Sequence, residues 1–192
     1  MLEHSWSQRR KKWNAIRDKI AETNCDIICL QEIKRESFDT HFIKNFCPRD
    51  FDSFEFLPSL GASGGVITIW KSHLFSGQLV FSNDFGISVE FVSCLDASTW
   101  VLTNIYAPCT PAGKLQFIDW LKNIQMPDEV NWLLIGYFNL IRSLDDRNRP
   151  GGDVNEIFLF NEAISSLGIV ELPLQGQRFT WTNKQHPLSW KD

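Results

Sequence analysis

The spacing of apolar residues predicts amphipathic helices in the first quarter of the chain. Over residues 9–24, apolar side chains recur at helical spacing among charged ones, and Asn24 is expected to end this helix. A second helix is predicted from Phe38, Phe42 and Phe46, which recur every four residues. Both helices would therefore carry one apolar face suited to packing on a sheet.

The rest of the chain reads mainly as strands. A helix is predicted from Pro111 and another over residues 153–167, which Gly168 should stop. Because strands outnumber helices and hairpin-like segments fill the middle, we expect a single α/β or α+β domain, with sheets at the centre and helices outside. Short apolar or alternating runs predict strands at 26–31, 51–57, 64–70, 77–82, 86–94, 100–106, 131–138 and 169–172.

Composition supports a packed domain and argues against binding by bulk charge. The 192 residues are 43% hydrophobic and 13% aromatic, which is enough to bury a core and excludes a disordered chain. The formal net charge is −4, so the protein lacks the overall positive charge of a non-specific nucleic-acid binder, and nucleic-acid binding would need a local basic patch. The basic run Arg9–Lys12 is expected to be a solvated helix start.

Cysteine usage and hydropathy bear on the cellular compartment. The five cysteines are odd in number and lie mostly in apolar runs, which favours free buried thiols and a reducing environment. Cys25 and Cys29 lack a second ligand pair, so a zinc site is not expected. With no apolar run of membrane-spanning length and no signal-peptide pattern, we expect a soluble protein of the nucleus or cytoplasm, neither secreted nor membrane-bound.

Chemistry-bearing residues gather in five segments, most of them at the ends of predicted strands. Taken singly, each has an ordinary structural interpretation: a solvated Glu, a close backbone approach, or a Tyr packed on the core. Their order along the chain is the stronger signal. The segments are Cys29–Glu32 (Cys-Leu-Gln-Glu), Gly64–Trp70 (Gly-Gly-Val-Ile-Thr-Ile-Trp), Asn104–Pro108 (Asn-Ile-Tyr-Ala-Pro), Gly136–Asn139 (Gly-Tyr-Phe-Asn) and Phe179–Asn183 (Phe-Thr-Trp-Thr-Asn).

In this order and spacing the segments resemble the motifs of the endonuclease/exonuclease/phosphatase superfamily. Together with Asn14–Asp18 (Asn-Ala-Ile-Arg-Asp), they are most similar to the endonuclease domain of plant non-LTR (LINE-type) retrotransposons. The resemblance implies a DNase I-like, four-layer α/β sandwich with its active site at one end of two sheets. It also implies DNA as the partner, and nicking of that DNA with Mg²⁺ or Mn²⁺ as the cofactor.

The resemblance also assigns roles to individual residues. Glu32 would hold the metal ion, since hard Mg²⁺ prefers carboxylate oxygen. Asn139 would orient the phosphate or the attacking water, and the Tyr106 hydroxyl would donate a hydrogen bond to a phosphate oxygen. The other implied site residues are Thr180 as a second hydroxyl donor, Asn104 and Asn183 as substrate contacts, and Asp192 as an active-site carboxylate.

Three departures from the family pattern predict a weakened site. Tyr137 stands where the family has the Asp that positions or deprotonates water, and a phenol with a pKa near 10 stays protonated at neutral pH. Trp6-Ser7 resembles a remnant of the family's first-strand motif, with Ser7 in place of its Asn. The family's Ser-Asp-His motif lies beyond Asp192, so the domain is expected to be partial at both ends.

We therefore expect a catalytically impaired phosphodiesterase domain. Two alternatives stay open: an active phosphodiesterase with a rearranged site, and a non-catalytic module that binds nucleic acid or protein on the same fold. Missing terminal strands would also expose sheet edges, which predicts a tendency to self-associate.

Overall fold

The computed structural model describes residues 2–59, 64–125, 130–147 and 151–173, with only the backbone described for residues 2–9. The chain divides into two compact units, Met1–Cys109 with Gln125–Asn139, and Thr110–Ile124 with Leu140–Asp192. Its helices are α1 (Leu2–Thr23), α2 (Thr40–Ile43), α3 (Pro111–Asn123) and α4 (Val154–Ser166), with a 3-10 turn at Leu144–Asp146. Its strands are β1 (Ile27–Ile33), β2 (Ser53–Leu57), β3 (Gly65–Trp70), β4 (Phe75–Asn83), β5 (Gly86–Ser93), β6 (Thr99–Tyr106) and β7 (Asn131–Tyr137).

The first sheet is antiparallel and has the order β1-β3-β2. Its central strand, β3, is buried at every position, as expected for a strand covered on both faces. Because side chains alternate between faces, Ile67 and Ile69 point to one side, where they pack with Ile28 and with Ile20 of α1. Helix α1 ends at Thr23, and Asn24 follows in a left-handed conformation, φ 46°.

The opposite face of this sheet packs against the second sheet. Trp70 of β3 meets Phe91 of β5 edge to face, with ring centroids 5.2 Å apart. Val89 and Leu102 complete this buried cluster, and Cys29 of β1 packs against it. The two sheets of the first unit therefore share one apolar core.

The second sheet is mixed and has the order β4-β5-β6-β7. Strands β4, β5 and β6 are antiparallel neighbours, whereas β7 runs parallel to β6. A parallel pair needs a crossover, and the intervening chain contains α3. The parallel register pairs Tyr106 with Tyr137, so the last residues of β6 and β7 lie side by side.

The second unit contains α3 and α4, which pack on one another. Thr110 caps the start of α3, where Pro111 occupies the first turn, and Asp153 caps the start of α4. An ion pair of 2.7 Å joins Lys114 to Glu156 across the two helices. Buried apolar residues on both helices, together with this ion pair, thus hold α3 and α4 together.

The mixed α/β fold with two sheets is confirmed, and most strand bounds lie within two residues of prediction. Three local predictions are wrong. Helix α1 begins at Leu2 and not at residue 9, so Trp6-Ser7 lies in this helix. Residues 169–172 form no strand. The helix expected around Phe42 is only Thr40–Ile43. Phe38 and Phe46 lie outside this helix, and both of their rings contact the ring of Phe42.

The cysteine prediction is right for some thiols only. All five cysteines are free, and Cys47 is buried, but Cys94 and Cys109 are exposed. The apolar residues near these two cysteines in the sequence wrongly suggested burial. Cys94 lies in a turn directly after β5, and Cys109 lies in a bend shortly after β6. The basic residues Arg10 to Lys12 are solvent-exposed as expected, though they lie within α1 and not at its start. Among the described residues, no helix is both long and apolar enough to cross a bilayer.

Candidate active site

The ends of β1, β6 and β7 bring three of the sequence-predicted site residues together. The Tyr106 hydroxyl donates a hydrogen bond to Glu32 Oε1 at 3.2 Å, across a sequence separation of 74 residues. Tyr137 is the in-register neighbour of Tyr106, and the Glu32 charge contributes to raising its pKa. The geometry therefore brings a carboxylate to the ends of two adjacent strands that both terminate in phenols.

Glu32 adopts an unusual backbone conformation. Its φ is 60°, which is in the left-handed region that non-glycine residues rarely occupy. The pairing of β1 with β3 shifts between Leu30 and Ile33, so that two residues of β1 oppose one of β3, as in a β-bulge. Bulges and left-handed residues redirect side chains next to active sites, and here the redirected side chain is the carboxylate.

Gly64 makes room for this bulge. A Cβ at Gly64 would lie 2.6 Å from Glu32 Cα and 2.9 Å from the Glu32 carbonyl carbon, both backbone atoms. Only glycine can approach the carboxylate's backbone so closely. The Gly-Gly motif predicted a close backbone approach, and the structure identifies its partner as Glu32.

Both phenols are held in the protonated form. Burial, then the neighbouring Glu32 charge and hydrogen bond, raise the pKa of Tyr106 to about 12. Burial, followed by the Glu32 charge, also raises the pKa of Tyr137 above its ordinary value. At neutral pH both hydroxyls consequently keep their protons and can act as hydrogen-bond donors, and neither can serve as a general base.

Asn139 lies just beyond β7 in a second left-handed conformation, φ 52°. Its Nδ2 donates to the Ala107 carbonyl at 2.6 Å, while the Ala107 amide donates to the Tyr137 carbonyl at 2.8 Å. These bonds tie the chain after β6 to the chain after β7. One amide hydrogen of Asn139 is thus committed to the backbone, which leaves the other and the amide oxygen for a ligand.

Asn104 does not lie at the surface of the site. Its side chain is fully buried and, from the second sheet, is hydrogen-bonded to Gln31 and Ile67 of the first sheet, so direct contact with a substrate is not available in this arrangement. The substrate-contact role expected for Asn104 therefore gives way to a structural one. The partner of its amide oxygen is Gln31, which sequence reasoning quoted as a motif residue without assigning it a role.

In the described part of the chain, the side chains around Glu32 do not make a complete Mg²⁺ site. Mg²⁺ prefers carboxylate and other hard oxygen acceptors, but the neighbours of Glu32 at the ends of β6 and β7 are the protonated phenols of Tyr106 and Tyr137. Among the described residues, no three His, Cys, Asp or Glu side chains form a group that could hold a metal ion. Thr180, Asn183 and Asp192, which were also expected at the site, lie outside the described residues.

Comparison with solved structures identifies the fold. An AP endonuclease from Leishmania major superimposes with a TM-score of 0.59 at 14% identity, covering 81% of this chain. The human Nocturnin catalytic domain, with bound sulfate, gives 0.53 at 14% identity and 83% coverage. The chain has the endonuclease/exonuclease/phosphatase fold.

That similarity is one of fold alone at this level of identity. The chain spans 61% of the length of the AP endonuclease chain and 63% of the Nocturnin chain. No protein family model matches the sequence, and no curated protein matches it either.

Proposed function

We propose that this chain is a catalytically impaired relative of the metal-dependent phosphodiesterases that share its fold, derived from the DNA-nicking endonuclease of a plant-type non-LTR retrotransposon. The observation that carries the proposal is the position of Tyr137, in register beside Tyr106 and within electrostatic reach of Glu32. A proton acceptor is needed there to prepare a water for attack, and a protonated phenol supplies a donor.

The chemistry explains why this replacement weakens the site. In an active relative the metal supplies charge neutralisation at the phosphate. In this chain, the Tyr106 hydroxyl occupies one Glu32 oxygen, and Tyr137 offers no second carboxylate. Losing a general base lowers a rate by about 10²–10⁴-fold. Asn139 retains the capacity to orient a phosphate oxygen, so binding is expected to outlast catalysis.

Nicking of supercoiled plasmid in Mg²⁺ or Mn²⁺ tests the proposal. The wild-type chain should nick at a rate no higher than Glu32→Ala, because the carboxylate no longer has a working partner. Tyr137→Asp alone should not restore nicking. Robust wild-type nicking that Glu32→Ala abolishes would overturn the proposal and favour an active, rearranged site.

A second candidate function is metal-independent binding of nucleic acid in the same place. The Asp-to-Tyr replacement removes one negative charge from a site that faces phosphate and leaves hydroxyl donors in its place, which favours an anion without a cation. Binding of a fluorescent DNA duplex should then survive EDTA, weaken with salt, and strengthen in Glu32→Gln. Titration without saturation in low salt would remove this candidate.

We extend the proposal to the partner of the protein, its compartment and its self-association. DNA would be its partner in the nucleus or cytoplasm. Association of two copies would run along β4, an edge strand of the second sheet on which Leu79 and Val80 are exposed.

A further inference from the structure

Asn104 is a fully buried amide that connects the two sheets near the candidate site. From β6, its Nδ2 donates to the Ile67 carbonyl at 3.0 Å and lies 3.2 Å from the Thr68 hydroxyl, both on β3. Its Oδ1 accepts a hydrogen bond of 2.6 Å from Nε2 of Gln31, on β1. A buried amide on one strand with partners on two others fixes the relative positions of all three, because any shift would leave a buried polar group unsatisfied.

We propose that Asn104 is a positioning residue, which holds Gln31 and thereby fixes the end of β1 so that the Glu32 carboxylate meets the Tyr106 hydroxyl. The inference rests on the proposed function only in taking Glu32 as the carboxylate of the site. The contact it explains is a property of the folded chain, whether or not the chain nicks DNA.

The geometry of β6 links the anchor to the site. Asn104 and Tyr106 are two residues apart on one strand, so both side chains leave the same face of the sheet. On β1, Gln31 and Glu32 are consecutive and together form the bulge opposite β3. Two adjacent residues of β1 are therefore matched to two same-face residues of β6: Gln31 to Asn104 at 2.6 Å, and Glu32 to Tyr106 at 3.2 Å.

Glu32 needs such an anchor because its own backbone conformation is unfavourable. A left-handed φ at a non-glycine residue persists only where the surrounding structure enforces it. Gly64 leaves space for the bulge but makes no side-chain bond to it. The Gln31–Asn104 hydrogen bond supplies a specific attachment one residue before the strained position.

The test uses the two tyrosines of the chain, Tyr106 and Tyr137, as probes. In protein with ¹³C-labelled tyrosine and glutamate, an NOE between the Tyr106 ring and the Glu32 γ-methylene reports their contact directly, and Tyr137→Phe assigns the rings. Gln31→Met removes the donor at a partly exposed position while keeping side-chain length. Asn104→Leu removes the whole anchor at nearly constant volume.

Ser88→Ala is the matched control. The Ser88 hydroxyl is buried and hydrogen-bonded to Thr103 of β6 at 2.8 Å, but Thr103 neighbours Asn104 in sequence and so lies on the opposite face. Losing the Ser88 hydroxyl also removes one buried hydrogen bond to β6, so the loss of stability has the same cause as in the Gln31 and Asn104 variants.

In Gln31→Met and Asn104→Leu the Tyr106–Glu32 NOE should lose most of its intensity, while Ser88→Ala keeps it. Should Asn104→Leu fail to fold, Gln31→Met decides alone. A folded Gln31→Met variant that retains the full NOE overturns the inference. Because the readout needs no activity, wild-type nicking would refute the proposed function without touching this result.

Discussion

The tightest steric constraint on the site lies between Gly64 and Glu32, and Gly64→Ala tests it. The added methyl would lie 2.6 Å from Glu32 Cα and 2.9 Å from its carbonyl carbon. Carbon atoms pack at about 3.5–4.0 Å, so the shorter separation must grow by roughly 1 Å. Both contacted atoms are backbone, so no flexible side-chain end can yield, and either the start of β3 or the bulge of β1 must move.

The consequences are measurable in stability and in geometry. Overpacking a close-packed site costs about 1–3 kcal/mol of unfolding free energy. A displacement of roughly 1 Å also carries the Tyr106–Glu32 contact from its present 3.2 Å beyond hydrogen-bonding distance. We therefore expect Gly64→Ala to lose both stability and the contact that defines the site.

Urea unfolding followed by tryptophan fluorescence gives the stability change, and the tyrosine–glutamate NOE gives the contact. Gly65→Ala is the matched control, because its methyl would lie 2.5 Å from the Leu57 carbonyl oxygen on β2 and not against Glu32. It should lose comparable stability while retaining the NOE. A Gly64→Ala protein with unchanged unfolding midpoint and intact NOE would refute the reasoning.

Three further predictions concern charge and burial. Tyr137→Asp should place two carboxylates together, so Mg²⁺ should raise its melting temperature in a thermal scan and leave that of wild type unchanged. Burial raises the pKa of Cys47 from 9.0 to about 12, so the folded state is stabilised while this thiol is protonated. The stabilisation is complete below pH 9 and is lost as the pH rises toward 12. Unfolding followed by circular dichroism should show this loss, and the loss should be less steep in Cys47→Ala. In chemical denaturation Lys114→Met should cost more than Lys122→Met, whose more exposed ion pair is worth roughly 0.2–1 kcal/mol. Equal losses would contradict the burial argument.

The succession of strands along the chain was predictable because it depends on local patterns. The apolar run of β3 and the Asn-Ile-Tyr end of β6 carry their information in consecutive residues, and both lie where expected. Helix α1 extends seven residues further than predicted because residues 2–8 carry little apolar periodicity, while the helix propagates through them. Residues 169–172 show the converse: Val170 and Leu172 are exposed, and this apolar run forms no strand.

The geometry around Glu32 was beyond sequence reasoning because it is non-local. Its left-handed φ depends on Gly64, 32 residues later, and on the Gln31–Asn104 bond across 73 residues. Asn104 was assigned to substrate because its motif lies beside the site. Burial, which decides between a ligand contact and an anchor, becomes visible only when both sheets are assembled.

The parallel pairing of β6 with β7 explains why one replacement alters the whole site. Register places residue 137 beside Tyr106 whatever its side chain, and so within electrostatic reach of Glu32. A carboxylate at that position would repel Glu32, and a bound cation would be needed to hold the two together. Tyr137 removes that repulsion, and its protonated phenol is compatible with the Tyr106–Glu32 hydrogen bond. In the described part of the site, one carboxylate therefore lies near two protonated phenols, and under the proposed function the replacement that would weaken catalysis would also remove the structural demand for a metal ion.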